Sequence, residues 1–126
     1  MSRQRSLASL DARIQALPDN TSEANLQAAA IDLATMTGWL CSHQRPAMVR
    51  SGKFVTAVSG HVGFPDLALV HPGRGLACFV ELKSRLGRLT VEQQAWGAGM
   101  RAAGLEHRVI RPSDWVPFAH YLIGNL

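Results

Sequence analysis

Gly63-Phe64-Pro65-Asp66-Leu67-Ala68-Leu69-Val70-His71-Pro72-Gly73-Arg74-Gly75-Leu76-Ala77-Cys78-Phe79-Val80-Glu81-Leu82-Lys83 is the stretch on which the reading of this chain turns. Two strand-like runs, residues 66–70 and 76–83, flank His71-Pro72-Gly73-Arg74-Gly75, whose proline and glycines mark a turn. The stretch therefore predicts a β-hairpin. Successive side chains leave opposite faces of a strand. Leu76, Cys78, Val80 and Leu82 then point one way, and Ala77, Phe79, Glu81 and Lys83 the other. Glu81 and Lys83 share a face at the end of a strand whose other face is wholly apolar, where unpartnered charges destabilise. The turn brings Asp66, at the start of the first strand, back to Glu81, with Lys83 beside them.

Downstream, residues 84–89 form a polar connection containing Gly87. Thr90 caps a helix running to about Ala103, Gly104 ends it, and residues 106–111 read as a strand. Pro112-Ser113-Asp114 then starts a final helix through Trp115, Phe118 and Leu122. Upstream, residues 45–65 are irregular, with Pro46, Gly52, Gly60 and Gly63 and one strand at 53–58; such a segment in a compact domain is usually functional or mobile. Residues 39–44 suit a strand. Thr21 or Ser22 caps a helix to about Thr37, with Leu26, Ala29, Ala30 and Leu33 on its apolar face and Gly38 as its stop. Before the break at Pro18-Asp19-Asn20, residues 6–17 carry Leu7, Leu10, Ile14 and Leu17 at helical spacing. With the candidate strand at 53–58 set aside, the order after Pro18 of helix, three strands, helix, strand, helix is satisfied by an α/β fold with a mixed sheet flanked by helices. Residues 1–20 are expected as an N-terminal helical extension and 21–126 as a single domain.

Composition agrees. The chain has 126 residues, 47% hydrophobic and 17% charged, enough to bury one core and too apolar for a disordered chain. A formal net charge of +4 attracts polyanions and fits nucleic acid. Cys41 and Cys78 lie far apart without C-x-x-C spacing, as reduced, packed thiols do. No signal-peptide core is present, and no apolar run approaches the ~18 residues that span a bilayer. A soluble, cytoplasmic protein is expected.

Two hard carboxylates with open positions suit Mg²⁺ or Mn²⁺, which keep waters and recruit phosphate oxygens. With a lysine ammonium beside them, Asp66 and Glu81 make a hydrolytic set for a phosphodiester that needs no Ser, Cys or His nucleophile. The plain alternative is a turn aspartate and a surface Glu–Lys strand end; the apolar strand around Glu81 weighs against it.

Gly63-Phe64-Pro65-Asp66-Leu67, Glu81-Leu82-Lys83-Ser84, Gly87-Arg88-Leu89-Thr90, Glu92-Gln93 and Trp96 together resemble the VRR-NUC domain, a family of the PD-(D/E)xK, restriction-endonuclease-like superfamily. The likeness reaches upstream to Glu23, Leu26-Gln27 and Gly38-Trp39, and downstream to Gly104 and Arg111-Pro112-Ser113-Asp114-Trp115. It implies an αβββαβ core and metal-dependent cleavage of DNA, with Mg²⁺ or Mn²⁺ as cofactor. It also implies Asp66 and Glu81 as metal carboxylates, the Leu82 carbonyl as a further ligand and Lys83 as the catalytic lysine. Glu23 matches the acidic position that completes the metal shell, and Gln93 the glutamine on the helix after the catalytic strand. Stand-alone members are similar to Holliday-junction resolvases and tend to be dimers, so a homodimer acting on branched DNA is implied. Residues 51–62 match no shared motif.

Some of these residues have second roles. Glu23 in a first helical turn favours the helix dipole in any case, and Thr90-x-x-Gln93 is a capping box; either role is compatible with the site. Arg85 and Arg88, and Arg45, Arg50 and Lys53 of the irregular segment, are placed to grip DNA phosphates. The five histidines show no metal-ligand spacing, although His61 can line the cleft. Trp96 and Trp115 read as core. The rival reading is a DNA-binding module or accessory subunit of nuclease-like fold that no longer cuts. Clustered acids oppose it, because they repel DNA unless a metal neutralises them.

Overall fold

The computed structural model describes residues 10–43, 47–48, 54–55 and 60–124. Helix α1, Glu23–Met36, starts where the Ser22 hydroxyl accepts the Asn25 N–H at 3.1 Å. It ends before Gly38, whose φ of 93° only glycine adopts without strain. Strand β1 (Leu40–His43) follows, then a small hairpin of β2 (Ala47–Met48) and β3 (Phe54–Val55). The central pair is β4 (Leu67–His71) and β5 (Leu76–Leu82). Helix α2 (Val91–Ala102) leads to β6 (His107–Ile110), and a 3-10 turn, Pro112–Asp114, leads into α3 (Trp115–Ile123).

The main sheet runs β1-β4-β5-β6, antiparallel except for the parallel pair β5/β6. Leu67 opposes Val80 and Leu69 opposes Cys78, so the apolar sides of β4 and β5 fall on one face. That face packs on Leu26, Ala30 and Leu33 of α1 and on Trp115, Phe118 and Leu122 of α3. The other face, carrying Phe79, Glu81, Lys83 and His107, is covered by α2. The predicted α/β fold with a mixed sheet between helices is what forms. The expected hairpin forms within a residue of its bounds: His71 extends β4, because its Nε2 bonds the Thr37 carbonyl at 2.8 Å while Nδ1 accepts the Arg74 N–H at 3.0 Å.

Two elements differ from the sequence reading. The helix expected over 6–17 is helical at 10–13 and turns at 14; residues before 10 lie outside the described part. The Trp115 indole takes the Arg13 carbonyl at 2.9 Å, the acceptor that a longer helix needs, and Pro18 disfavours helical backbone at Leu17. Leu10, Ile14 and Leu17 still pack on the core. In the irregular segment the single strand expected at 53–58 is described at Phe54–Val55 and has a partner, Ala47–Met48, that no periodicity announced. Gln44, Arg45, Arg50 and Lys53 lie outside the described residues.

Helix α2 approaches β6 closely. A Cβ on Gly97 would stand 2.7 Å from Cε1 of His107. That ring is buried and accepts a hydrogen bond from Arg101 Nη1 at 2.8 Å, so it cannot step aside. Burial, helped by the Arg101 charge, holds His107 below the usual histidine pKa. Gly97→Ala gains about 1 kcal/mol of helix propensity and loses about 1–3 kcal/mol to overpacking. A fall in melting temperature is expected; a variant melting above the parent would show that α2 moves freely over the sheet.

Candidate active site

Phe64 anchors the loop that delivers Asp66. Its ring meets Trp96 edge-on at 5.2 Å and Phe79 at 5.9 Å, and the Trp96 indole donates to the Val62 carbonyl at 3.0 Å. Gly63, with φ 98°, lies flush against the first turn of α2: an added Cβ would be 2.7 Å from the Glu92 carbonyl carbon and 2.9 Å from the Gln93 nitrogen. Pro65 is buried. Asp66 Oδ2 then accepts the Leu82 N–H at 2.8 Å, just past the last β4–β5 pair, Leu67 with Val80.

Glu81 is 2% exposed, which for a carboxyl group demands partners. Gln93 Nε2 donates to its Oε1 at 2.9 Å. The orientation of that amide is set by the capping box: Gln93 Oε1 accepts the Thr90 N–H at 2.9 Å, and Thr90 Oγ1 accepts the Gln93 N–H at 3.0 Å. With its oxygen committed to the helix cap, Gln93 can only turn its NH₂ toward Glu81. Burial pushes the Glu81 carboxyl up to about 8. The Asp66 charge and hydrogen bond push in the same direction, Lys83 opposes them, and Glu23 adds a last repulsive contribution. At neutral pH the buried Glu81 carboxyl therefore favours its protonated form.

Lys83 is 9% exposed, and its N–H is paired with the Ile110 carbonyl of β6 at 3.0 Å. A tight turn follows at once. The Gly87 N–H reaches both the Ser84 carbonyl, at 3.2 Å, and the Ser84 Oγ, at 3.1 Å. Arg111 Nη1 donates to the Ser84 and Gly87 carbonyls at 2.7 Å each. Gly87 rests on the lysine stem: its Cβ would be 3.4 Å from Lys83 Cδ.

Asp66, Glu81, Lys83 and Gln93 are thus brought together at the β4–β5 edge. Leu82 contributes the N–H that holds Asp66. Glu23 is exposed on α1 and acts on Glu81 through charge alone. Among the described residues no group of three His, Cys, Asp or Glu side chains is arranged to hold a metal ion, so the acidic centre is a pair. Arg85 and Arg88 are exposed beside Lys83, whereas Arg45, Arg50 and Lys53 lie outside the described residues. His61 lines an open apolar groove with Trp96, Met100 and Leu105 along α2. Trp115 is buried as expected, and Trp96 is half-buried. The role of Arg111 was not legible in the sequence; the one signal is an arginine ending a strand immediately before a proline.

No family model matches this sequence, and no curated protein does. Among solved structures, one described as a "VRR_NUC domain" aligns over 82% of this chain and 96% of its own, with 21% identity and a TM-score of 0.55. The chain thus has a restriction-endonuclease-like α/β fold. More narrowly, it is the fold of a VRR-NUC domain, as the sequence motifs predicted. No described helix is long and apolar enough to cross a membrane.

Proposed function

We propose that this chain is a nuclease of the VRR-NUC type that hydrolyses DNA phosphodiester bonds using Mg²⁺ or Mn²⁺ held by Asp66 and Glu81. The observation that carries this reading is the buried Glu81, held by Gln93 Nε2 at 2.9 Å, beside Asp66, which the Leu82 N–H fixes at 2.8 Å, with Lys83 at the same strand end. Two neighbouring carboxyls disfavour each other's ionisation, and a divalent cation relieves that repulsion; their hard oxygens suit Mg²⁺ and Mn²⁺. When bound, the cation supplies neutralisation of phosphodiester charge and acidification of water.

The residues divide the remaining work. Gln93 holds one oxygen of Glu81 and leaves the other for the cation. The Leu82 N–H fixes Asp66, and the Leu82 carbonyl is proposed as a further ligand. Glu23, a charge neighbour of Glu81 on α1, is proposed to complete the metal shell. Lys83 orients the attacking water and stabilises charge developing on the phosphate. Arg85 and Arg88 grip flanking phosphates, and Arg45, Arg50 and Lys53 extend that grip along the duplex. Two strands of a branched DNA need two active sites, which a homodimer supplies.

The test is cleavage of labelled four-way junction, flap, duplex and single-stranded DNA in Mg²⁺, Mn²⁺ or EDTA, beside Lys83→Ala. Metal-dependent cutting that disappears in the variant supports the reading and names the substrate. Binding without cutting in either metal would replace it with a non-cleaving DNA-binding module.

A further inference from the structure

We propose that Leu86 is an apolar wedge that enters the base stack beside the bond to be cut, where the duplex is interrupted by a nick, fork or branch; this deepens the nuclease reading above and rests on it. Leu86 is 80% exposed, the highest value among the large apolar side chains described, and Val91 follows at 77%. A single exposed leucine on a loose loop needs no explanation. This one sits on a fixed turn.

Its backbone is pinned at both ends. Gly87 N–H closes the turn on Ser84, and the Arg111 guanidinium grips both the Ser84 and Gly87 carbonyls at 2.7 Å. Gly87 in turn lies against the Lys83 stem. Arg85 and Leu86 at the tip are both exposed, and Leu86 is absent from the core cluster. A charged guanidinium spent on two carbonyl oxygens orders the turn and presents its tip in one orientation.

The surroundings select nucleic acid as the occupant. Arg85 and Arg88 flank the leucine, both exposed, and neither is ion-paired among the described residues. An apolar tip between two free cations matches a base step between two phosphates. A protein partner seated there would bury two guanidinium groups that have no ion-pair partner among the described residues. Three residues span at most about 10 Å, roughly three base steps, so the wedge acts within that distance of Lys83. Unstacking an intact step is costly, whereas the stack at a nick, fork or branch is already broken. Leu86 therefore biases cutting toward interrupted duplexes.

The experiment compares Leu86→Ser and Leu86→Met with the parent on three DNAs of one sequence: continuous duplex, forked duplex and single strand, in Mn²⁺. Unstacking is read by 2-aminopurine fluorescence at the fork, with Lys83→Ala added to block cutting. For Leu86→Ser the ratio of forked to continuous cleavage should fall about tenfold, with single-strand cutting unchanged and the fluorescence rise lost. Leu86→Met should retain all three, and an unaltered melting temperature in both variants confirms an intact fold. An unchanged ratio with the fluorescence rise preserved would overturn the wedge and leave the nuclease standing, as would a parent with no preference for the fork. A parent that cuts none of the three DNAs would overturn the nuclease reading and the wedge together.

Discussion

Glu81→Gln is expected to lower metal-dependent cleavage on the order of 10³-fold while making the metal-free protein more stable at alkaline pH. The two effects have one origin. Glu81 is sealed against solvent beside Asp66, and burial with that neighbouring charge pushes it up to about 8 from an ordinary 4.5. At pH below 4.5 the group is protonated in both folded and unfolded chains, and its contribution to stability is fully present. Between 4.5 and about 8 the unfolded chain releases a proton that the fold retains. Stability declines across this window and the loss is complete above about 8. Glutamine does not ionise, so the variant escapes the decline. On the proposed function, its amide replaces a charged metal ligand with a neutral group, and cation binding is expected to be lost.

The measurement is thermal unfolding in chelator at pH 5, 7 and 9, with cleavage followed in Mn²⁺. The melting temperatures of parent and variant should diverge as pH rises, by several degrees at pH 9. Mn²⁺ should restore the parent and leave the variant unmoved. A parent whose melting temperature is flat from pH 5 to 9 in chelator would show that Glu81 does not hold the proton. A variant cutting within tenfold of the parent would remove Glu81 from the metal site.

The features legible in the sequence share a property: each is written in neighbours a few positions apart. The β4–β5 hairpin followed from Pro72, Gly73 and Gly75 between two alternating runs, and the shared face of Glu81 and Lys83 from strand alternation alone. The Thr90–Gln93 capping box was equally local, and both of its bonds form. Contacts between distant residues left no such trace. Arg111 reaches back to Ser84 and Gly87 across the parallel β5–β6 pair. Phe64 meets Trp96 only because α2 folds over the sheet. The rotation of the Gln93 amide toward Glu81 depends on both scales, since the cap fixes one end and the sheet supplies the other. The pairing of β2 with β3 was hidden because two-residue strands are too short for any period to register. Glu23 shows the reverse limit: its position in the motif was readable, yet the helix places it outside any three-residue metal cluster.

Gly63 joins these scales, and Gly63→Ala is expected to damage the site as well as the fold. Two penalties act together. A φ of 98° is unfavourable for any L-residue, by about 1–2 kcal/mol. The new Cβ would also stand 2.7 Å from the Glu92 carbonyl carbon and 2.9 Å from the Gln93 nitrogen, backbone atoms that cannot rotate away. Either the loop withdraws or the first turn of α2 shifts. A withdrawing loop carries Asp66 off the Leu82 N–H; a shifting helix carries Gln93 off Glu81. A displacement near 1 Å at such a site costs about 10²-fold in rate. Gly60→Ala separates the two penalties, because Gly60 has a φ of 100° with nothing within 4 Å of its added Cβ. That control should lose a comparable increment of stability from backbone strain and keep its cleavage rate. If the two variants melt and cut alike, contact between the Asp66 loop and α2 does not set the geometry of the site. If only Gly63→Ala loses cleavage, the absence of a side chain at residue 63 is what lets two separately folded pieces, the Asp66 loop and the Gln93 turn, close on one pair of carboxyls.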